Sequence, residues 1–340
     1  MNHTIKPIKV YRGQYIESTH DIHIAVVNCD GDLLAYYGDP HRLTFARSSM
    51  KPLQALPAVE SGAVDANHIS EKELALFCAS HIGEPIHRNA VAHVLDRVNL
   101  TEDHLQCGTH MPKDINSYKQ LIQDGGVLTP FYSNCSGKHS GMLTGCVHQN
   151  MDLNTYRDIN HPYQQQIIDC ISDVCDYPRE KITTSVDGCG VPVHRLPLDH
   201  IAMAFGRLAS PEKWTSGDAN RKQALGQICR AMVHHPEMVA GTRQYDTDLM
   251  TAYKNRIVAK GGAEGVHCFG DTKTGIGIAI KASDGNARAT NVASMEVLRQ
   301  LQIGSSAIRD ELAMYANAPV LNARDERIGE VVADFQLNVL

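Results

Sequence analysis

Strand-forming sequence is concentrated at the two ends of this 340-residue chain, and the long middle part has helical periodicity. Residues 22–29 are β-rich, and residues 33–37 follow after the turn Asp30-Gly31-Asp32, which is typical of a β-hairpin. Strand-like segments return after about residue 255. This pattern predicts an α+β fold, in which one antiparallel sheet is built from both ends of the chain and a helical middle region packs against it.

We predict a single catalytic domain over residues 1–340, because a chain of this length can bury a substantial core. Its sheet region is expected at about 8–45 and 255–340, and its helical region at about 46–254. The predicted helices are 48–61, 71–79, 86–97, 115–123, 136–149, 162–176, 198–209, 218–234, 290–302 and 306–316. The predicted C-terminal strands are 256–260, 265–269, 274–281 and 328–336. A functional cleft is expected where sheet and helices meet.

The composition excludes several classes of function. A net charge of −6 gives no reason to expect binding to nucleic acid or to a membrane surface, since both attract clustered cations. The first residues lack the apolar segment of a signal peptide, and no run approaches the ~18 apolar residues that span a bilayer. The ten cysteines show no framework spacing and are expected to be free thiols. We therefore expect a cytoplasmic protein.

The segment Tyr132–Gly141 brings a thiol, an amine and an imidazole close together. A helix is predicted from Ser136, so Cys135 would lie at its N-terminus, where the helix dipole favours a thiolate. Lys138 and His139 follow at the spacing that projects side chains to the same face. The segment Asp187-Gly188-Cys189-Gly190 holds a second cysteine in a tight turn, and two such cysteines would form half of a metal site. The alternative is that each cysteine is a small buried apolar residue.

Ser48 and Lys51 have the Ser-x-x-Lys spacing that places an amine one turn from a hydroxyl on the same face of a helix. A serine needs a neighbouring base to act as a nucleophile, and a neutral lysine can be that base. Arg47 beside them could hold a substrate carboxylate. Taken alone the motif is weak, because it also occurs by chance at helix N-termini.

Three further segments are unusually polar. Ser80 is followed by an imidazole and a carboxylate around Gly83, which fits either a site or an ordinary helix end with a glycine turn. Lys260 precedes Gly261-Gly262 at a predicted strand end, where glycines allow a substrate to approach the backbone. The segment Gly241–Asp248 is either a helix start that lines a site or a solvated turn.

Together these motifs resemble a known family. The blocks Ser48–Pro52, Ser80–Glu84, Asn134–His139, Asp187–Pro192 and Lys260–Gly265 occur in the order found in L-asparaginases of the Rhizobium etli type, the class 3 or asparaginase II family. The resemblance extends from about residue 8 to the C-terminus. Its most specific parts are Cys-Ser-Gly-Lys-His and Asp-Gly-Cys-Gly-Val-Pro.

The resemblance implies a fold similar to the serine β-lactamases and glutaminases, with two Ser-Lys pairs in one pocket, Ser48 with Lys51 and Ser80 with Lys260. It implies a zinc ion bound by Cys135, Lys138 and Cys189, with water as the fourth ligand. From chemistry alone His139 is the more usual ligand, because a lysine must first lose its proton. The residues expected to bind substrate are Arg47, Asn134, His139 and Asp187.

The expected reaction is hydrolysis of L-asparagine to L-aspartate and ammonia, by a homodimer. Asp246 departs from the pattern of some relatives, which carry cysteine there, and this difference is expected to bear on affinity or activity. Two alternatives stay open. One is a metal-independent Ser-x-x-Lys amidase or glutaminase with structural cysteines, and the other is a non-catalytic binding module stabilised by zinc.

Overall fold

A computed structural model describes residues 6–340, so the first five residues, which the signal-peptide prediction concerns, lie outside the described part. The strands are β1 (Ile8–Arg12), β2 (Tyr15–His20), β3 (Ile22–Val27), β4 (Leu33–Tyr37), β5 (Leu43–Phe45), β6 (Thr183–Val186), β7 (Pro192–Pro197), β8 (Ile257–Gly262), β9 (Val266–Asp271), β10 (Gly277–Ala282), β11 (Ala318–Leu321), β12 (Arg327–Ala333) and β13 (Asn338–Val339).

The α-helices are α1 (Lys51–Gln54), α2 (Leu56–Glu60), α3 (Ala63–Ala66), α4 (Glu71–Phe77), α5 (Pro85–Arg97), α6 (Ile115–Gln123), α7 (Ser136–His148), α8 (Pro162–Val174), α9 (Leu198–Ala209), α10 (Ala219–His234), α11 (Pro236–Val239), α12 (Tyr245–Ala252), α13 (Ala287–Gln300), α14 (Ser306–Glu311) and α15 (Ala313–Ala316). Short 3-10 helices occur at Arg47–Met50, Glu102–His104, Pro130–Tyr132, Arg179–Lys181 and Pro211–Lys213.

The described chain divides into two compact units. The first contains the residues up to Ser49, Leu196–Lys213 and Asp248–Leu340, and the second contains Met50–Arg195 and Trp214–Thr247. The prediction of a single catalytic domain stays a prediction.

The first unit is built on two antiparallel sheets. A six-stranded sheet has the order β13-β4-β3-β10-β9-β8, with Ile24 opposite Ile280 at its centre. A four-stranded sheet has the order β11-β12-β1-β2, with Val10 opposite Val331. Helix α9 packs on β10, β9 and β3, and α13 packs against strands of both sheets. The predicted α+β class with antiparallel sheets is confirmed.

The prediction of a single sheet is wrong, because the strands from the two ends of the chain form two sheets. The hairpin β3-β4 and its pairing with β10 are as expected, but β12 pairs with β1 instead of joining the same sheet. Strands β1 and β2 form a hairpin before β3, with Gly13 at a φ of 56° in the turn. The edge of β1 that does not pair with β2 is open to another strand. Strand β12 pairs there, and a second sheet forms.

The second unit is mainly helical, and the helices predicted there are present with small shifts at their ends. The exception is 48–61, which forms the short helices α1 and α2 on either side of Ala55. Pro57 has no N–H to donate to the carbonyl of Leu53, so one continuous helix cannot form. Helix α4 begins with a capping box, since Ser70 and Glu73 exchange hydrogen bonds.

The cysteines and the helix lengths agree with the expectations from composition. All ten cysteines lie in the described part of the chain, where each is a free, buried thiol. Within residues 6–340, every helix is too short or too polar to cross a membrane.

Candidate active site

Glycines in α7 bring its N-terminal end against the end of α4. A Cβ atom added at Gly137 would lie 2.4 Å from the Leu76 carbonyl oxygen, and one at Gly141 would lie 2.6 Å from Cγ of Phe77. Only glycine permits this approach. Because α4 ends at Phe77, the residues that follow it, including Ser80, run beside the N-cap of α7, which is Cys135.

Lys51 joins these segments. Its side chain is completely buried, and Nζ donates to the Ala79 carbonyl, to Ser80 Oγ at 3.0 Å and to Cys135 Sγ at 3.3 Å. Lys51 Nζ therefore has three hydrogen-bond partners from two different segments of the chain. One amine thus links a serine hydroxyl and a cysteine that the sequence places 84 positions from it.

Cys189 lies in the turn between β6 and β7. This turn is closed by hydrogen bonds between Asp187 and Val191 and from the Gly190 N–H to the Asp187 carbonyl, both at 2.9 Å. Gly190 has a φ of 86°, a conformation that favours glycine. Lys138 Nζ lies 3.0 Å from Cys189 Sγ. The turn therefore holds the second predicted cysteine against the predicted lysine.

The two cysteine thiols are in hydrogen-bonding contact, and their charges differ. The hydrogen bond from Cys189 lowers the pKa of Cys135, and Lys51 and Lys138 lower it further against the effect of burial. The same hydrogen bond, together with burial, raises the pKa of Cys189. Burial alone would lower the pKa of Lys138, but the two sulfur atoms outweigh it and the pKa is raised. These effects favour a thiolate at Cys135, between the side chains of Lys51 and Lys138.

Polar atoms near this cluster have no protein partner among the described residues. They are Nε2 of His139, Oδ1 of Asn134 and both ring nitrogens of His194, all buried. Burial and then Lys138 lower the pKa of His194 to about 4, which Asp187 partly opposes. Buried polar groups are rarely left unpaired without a functional reason, so these atoms are candidates for contact with a ligand.

The first unit brings together the remaining predicted residues. A Cβ atom added at Gly262 would lie 2.9 Å from the Ala46 carbonyl oxygen and 3.3 Å from Arg47 Cβ, so the end of β8 runs beside the segment that carries Ser48. Arg47 has a φ of 52°, an uncommon conformation that is often found at functional sites. Lys260 is buried, and its Nζ donates to the Gly261 carbonyl at 2.7 Å.

The predicted pairs Ser48–Lys51 and Ser80–Lys260 each combine residues of the two units, and they stay predictions. Asp246 is buried in the first turn of α12. Within the second unit, the Ser80 hydroxyl is a hydrogen-bond partner of Lys51.

The donors of the predicted zinc site fit the ion chemically. Two sulfur atoms and one amine are in mutual contact, and sulfur is a preferred zinc ligand. Within residues 6–340, groups of three or more His, Cys, Asp or Glu side chains suited to a metal are absent. Lys138 would therefore have to complete the set. The zinc site stays a prediction.

Three residues of the cluster had no role in the sequence-based prediction. His81 Nε2 lies 2.8 Å from Ser136 Oγ, which ties the Ser80 loop to α7. Tyr156 contacts His139, and His194 follows the Cys189 turn in β7. His81 stood beside a predicted residue, but Tyr156 and His194 occur singly in segments without a motif, so the sequence offered no sign of them.

Comparison with solved structures gives distant similarities. A β-lactamase from Mycobacterium bovis is 16% identical, with 86% of this chain and 94% of that chain covered and a TM-score of 0.42. A β-lactamase/D-alanine carboxypeptidase from Pseudomonas syringae is 13% identical, with 84% and 94% covered and a TM-score of 0.42. No curated protein gives a significant match.

The family comparison covers nearly the whole chain. The model of the L-asparaginase II family matches residues 8–333, which include every block that carried the resemblance in the sequence. The chain therefore belongs to the L-asparaginase II family.

Proposed function

We propose that this protein is an L-asparaginase, which hydrolyses L-asparagine to L-aspartate and ammonia through a Ser-Lys mechanism. Membership of the family supports an amide hydrolase. The observation that carries the proposal is the buried Lys51 amine, which is in hydrogen-bond contact with Ser80 Oγ and Cys135 Sγ inside the family's motif blocks. A binding module without catalysis would have no need to bury a lysine against a serine hydroxyl.

The proposed nucleophile is Ser48. Its Oγ attacks the side-chain amide carbon of asparagine while neutral Lys51 takes the hydroxyl proton. Backbone N–H groups near the serine stabilise the negative charge that develops on the amide oxygen. The C–N bond then breaks, and the leaving nitrogen takes a proton and departs as ammonia.

Ser80 is the proposed relay. Its Oγ already accepts a hydrogen bond from Lys51, so it can pass the lysine proton to the leaving nitrogen. Water then attacks the β-aspartyl ester, Lys51 takes a proton from that water, and the Ser48 oxygen recovers its own. L-Aspartate is released. Lys260 would assist in positioning the water.

The proposed metal is one zinc ion, held by Cys135, Lys138 and Cys189. When bound, it would polarise a substrate oxygen as a Lewis acid or order the pocket. Arg47, Asn134, His139 and Asp187 are proposed to bind the polar groups of the substrate. The homodimer, the cytoplasmic location and the lack of nucleic-acid binding stay predictions.

The test is ammonia release from L-asparagine, with L-glutamine measured under the same conditions. We expect release from asparagine, lost in Ser48→Ala and Lys51→Met but kept in Ser61→Ala, a serine whose hydroxyl donates to the Ala58 carbonyl. Trapping the ester and mapping it by mass spectrometry should place it on Ser48. Release mainly from glutamine would move the substrate assignment, and full turnover by Ser48→Ala would reject its role as nucleophile.

A further inference from the structure

His139 and Tyr156 form a buried pair beside the cysteine cluster. Both side chains are completely buried, and the Tyr156 hydroxyl lies 2.6 Å from His139 Nδ1. The backbone N–H of Gln106 donates to the same hydroxyl at 2.9 Å. The phenol oxygen therefore has two polar neighbours, one of which is already a donor.

The direction of the second hydrogen bond follows from these contacts. The Gln106 N–H can only donate, so the Tyr156 oxygen accepts from it. Among the described residues, His139 Nδ1 is the acceptor within reach of the hydroxyl proton. A buried hydroxyl proton without an acceptor is unfavourable, so Tyr156 donates to Nδ1. A neutral imidazole whose Nδ1 accepts carries its proton on Nε2.

This leaves Nε2–H as a donor that has no partner among residues 6–340. Burial is the main cause that lowers the pKa of His139, and Lys138, Lys51 and Arg157 lower it further. Of these three side chains, Arg157 keeps its charge when Lys51 acts as a base and Lys138 binds zinc. A buried N–H donor near a guanidinium group suits an anionic oxygen and repels an ammonium group. Of the polar groups on an amino acid such as asparagine, the α-carboxylate meets this requirement.

We propose that Tyr156 is a positioning residue that holds His139 in the Nε2–H tautomer, so that His139 donates a hydrogen bond to the carboxylate of the amino-acid substrate. The assignment of the carboxylate rests on the proposed function, whereas the tautomer does not.

Replacing Tyr156 by Phe removes the two hydrogen bonds of the hydroxyl, with His139 and from the Gln106 N–H, and leaves the other contacts of Tyr156. The Gln164 side chain donates to the Tyr156 carbonyl at 2.8 Å, and Arg157 Nε donates to the Gln106 side chain at 2.6 Å. These contacts do not use the phenol group, so Tyr156→Phe keeps the ring and the backbone while removing the O–H. Tyr163→Phe is a matched control, because Tyr163 is equally buried and its ring packs against Gly145.

The first measurement determines the tautomer of His139 by long-range 1H–15N NMR on wild-type protein labelled with 15N-histidine. The His139 signals are identified by their loss in His139→Gln. We expect Nδ1 to be the unprotonated nitrogen and Nε2 the protonated one, with a mixture of tautomers in Tyr156→Phe. A wild-type spectrum with the proton on Nδ1 would overturn the proposal, and this result needs neither the Tyr156→Phe variant nor an active enzyme.

The second measurement separates KM from kcat. His139→Gln keeps an N–H donor near the position of Nε2, whereas His139→Asn keeps one near Nδ1. We therefore expect the KM for the substrate L-asparagine to rise about 10- to 100-fold more in His139→Asn than in His139→Gln. Tyr156→Phe should raise KM about 3- to 10-fold with little change in kcat. Equal KM values for Tyr156→Phe and Tyr163→Phe would reject the role of Tyr156.

The two proposals fail in distinguishable ways. If the wild type does not hydrolyse asparagine, the proposed function fails while the NMR result still decides the tautomer. If the wild type is active and the tautomer is as expected, but His139→Asn leaves KM unchanged, then the contact with the substrate carboxylate is wrong and the asparaginase assignment stands.

Discussion

Lys51 donates a hydrogen bond to Ser80 Oγ over 3.0 Å, although the two residues are 29 positions apart in the chain. The contact exists because α4 ends beside the N-terminus of α7, and Lys51 is buried against both segments. If the two side chains act as one proton-transfer unit, removing either should cost about as much as removing both.

We therefore expect Ser80→Ala and Lys51→Met each to lower kcat by about 10²- to 10⁴-fold, and the double variant to be scarcely worse than the more damaged single one. Steady-state ammonia release measures this double-mutant cycle. Losses that simply add in free energy would mean that the hydrogen bond has no part in proton transfer.

Zinc affinity is expected to rise with pH. Lys138 and Cys189 both have raised pKa values, and each must lose a proton before it can bind the ion. Binding therefore releases protons, and each released proton makes the apparent Kd fall by up to about tenfold per pH unit. Competition with a chelator at several pH values measures this. An affinity independent of pH would contradict it.

The same site predicts which variants lose the metal. Elemental analysis should give one zinc per wild-type chain, with loss of zinc in Cys135→Ser and Cys189→Ser. Cys146→Ser is the control, because Cys146 is buried in α7 and burial raises its pKa to about 12. Wild-type protein that is active without zinc would favour the metal-independent amidase.

The sequence predicted the larger elements of the fold because their periodicity is strong. The hairpin β3-β4 alternates around a clear turn, and the capping box of α4 marks its start. Strand β6 was missed since its four residues are all exposed and it lacks the alternation that marks a half-buried strand. The second sheet was missed because the pairing of β12 with β1 depends on tertiary packing, which a local sequence pattern does not reveal.

The candidate site was predictable where several reactive residues share one segment. Cys135, Lys138 and Cys189 were identified in this way, and the structure places them in contact. The contact of Lys51 with Ser80 was not, because Ser80 approaches Lys51 through the packing of α4 on α7. Tyr156 acts through a single hydrogen bond to His139, and the sequence carries no trace of such a bond.

Helix α7 should not tolerate a side chain on its inner face. Replacing glycine by alanine inside a helix normally raises its stability by about 1 kcal/mol. At Gly141, however, the new Cβ would lie 2.6 Å from the Phe77 ring. We expect Gly141→Ala to destabilise the protein by about 1–3 kcal/mol through overpacking, and to lower kcat because the Ser80 segment shifts. Gly188→Ala is the control for stability alone, since a Cβ there meets nothing within 4 Å.

Urea unfolding and ammonia release measure the two effects of Gly141→Ala. Adding Phe77→Leu should restore part of the stability, because a smaller side chain makes room for the new methyl group. A Gly141→Ala protein as stable and active as the wild type would mean that the approach of α7 to α4 does not position the site.

A buried histidine pair should make stability depend on pH. His81 and His87 stack with ring centroids 4.8 Å apart, and burial is the main cause that lowers the pKa of both. Their folded pKa values lie below the unfolded value of about 6.5, so the unfolded chain takes up these protons first as the pH falls. Their contribution is therefore complete above about pH 6.5 and is lost on acidification towards the folded pKa values.

Each such histidine adds a slope of up to about 1.4 kcal/mol per pH unit to the free energy of unfolding. His87→Gln removes one titrating group and keeps an N–H that can donate to the Glu237 carbonyl, which His87 Nε2 contacts at 2.9 Å. We expect urea titrations at about pH 7.5 and about pH 5.5 to show a smaller loss of stability in this variant than in the wild type. The control is His93→Gln, an exposed position of the same helix, α5. An unchanged slope in His87→Gln would show that His87 binds its proton equally well in the folded and unfolded protein, which burial at this position should prevent.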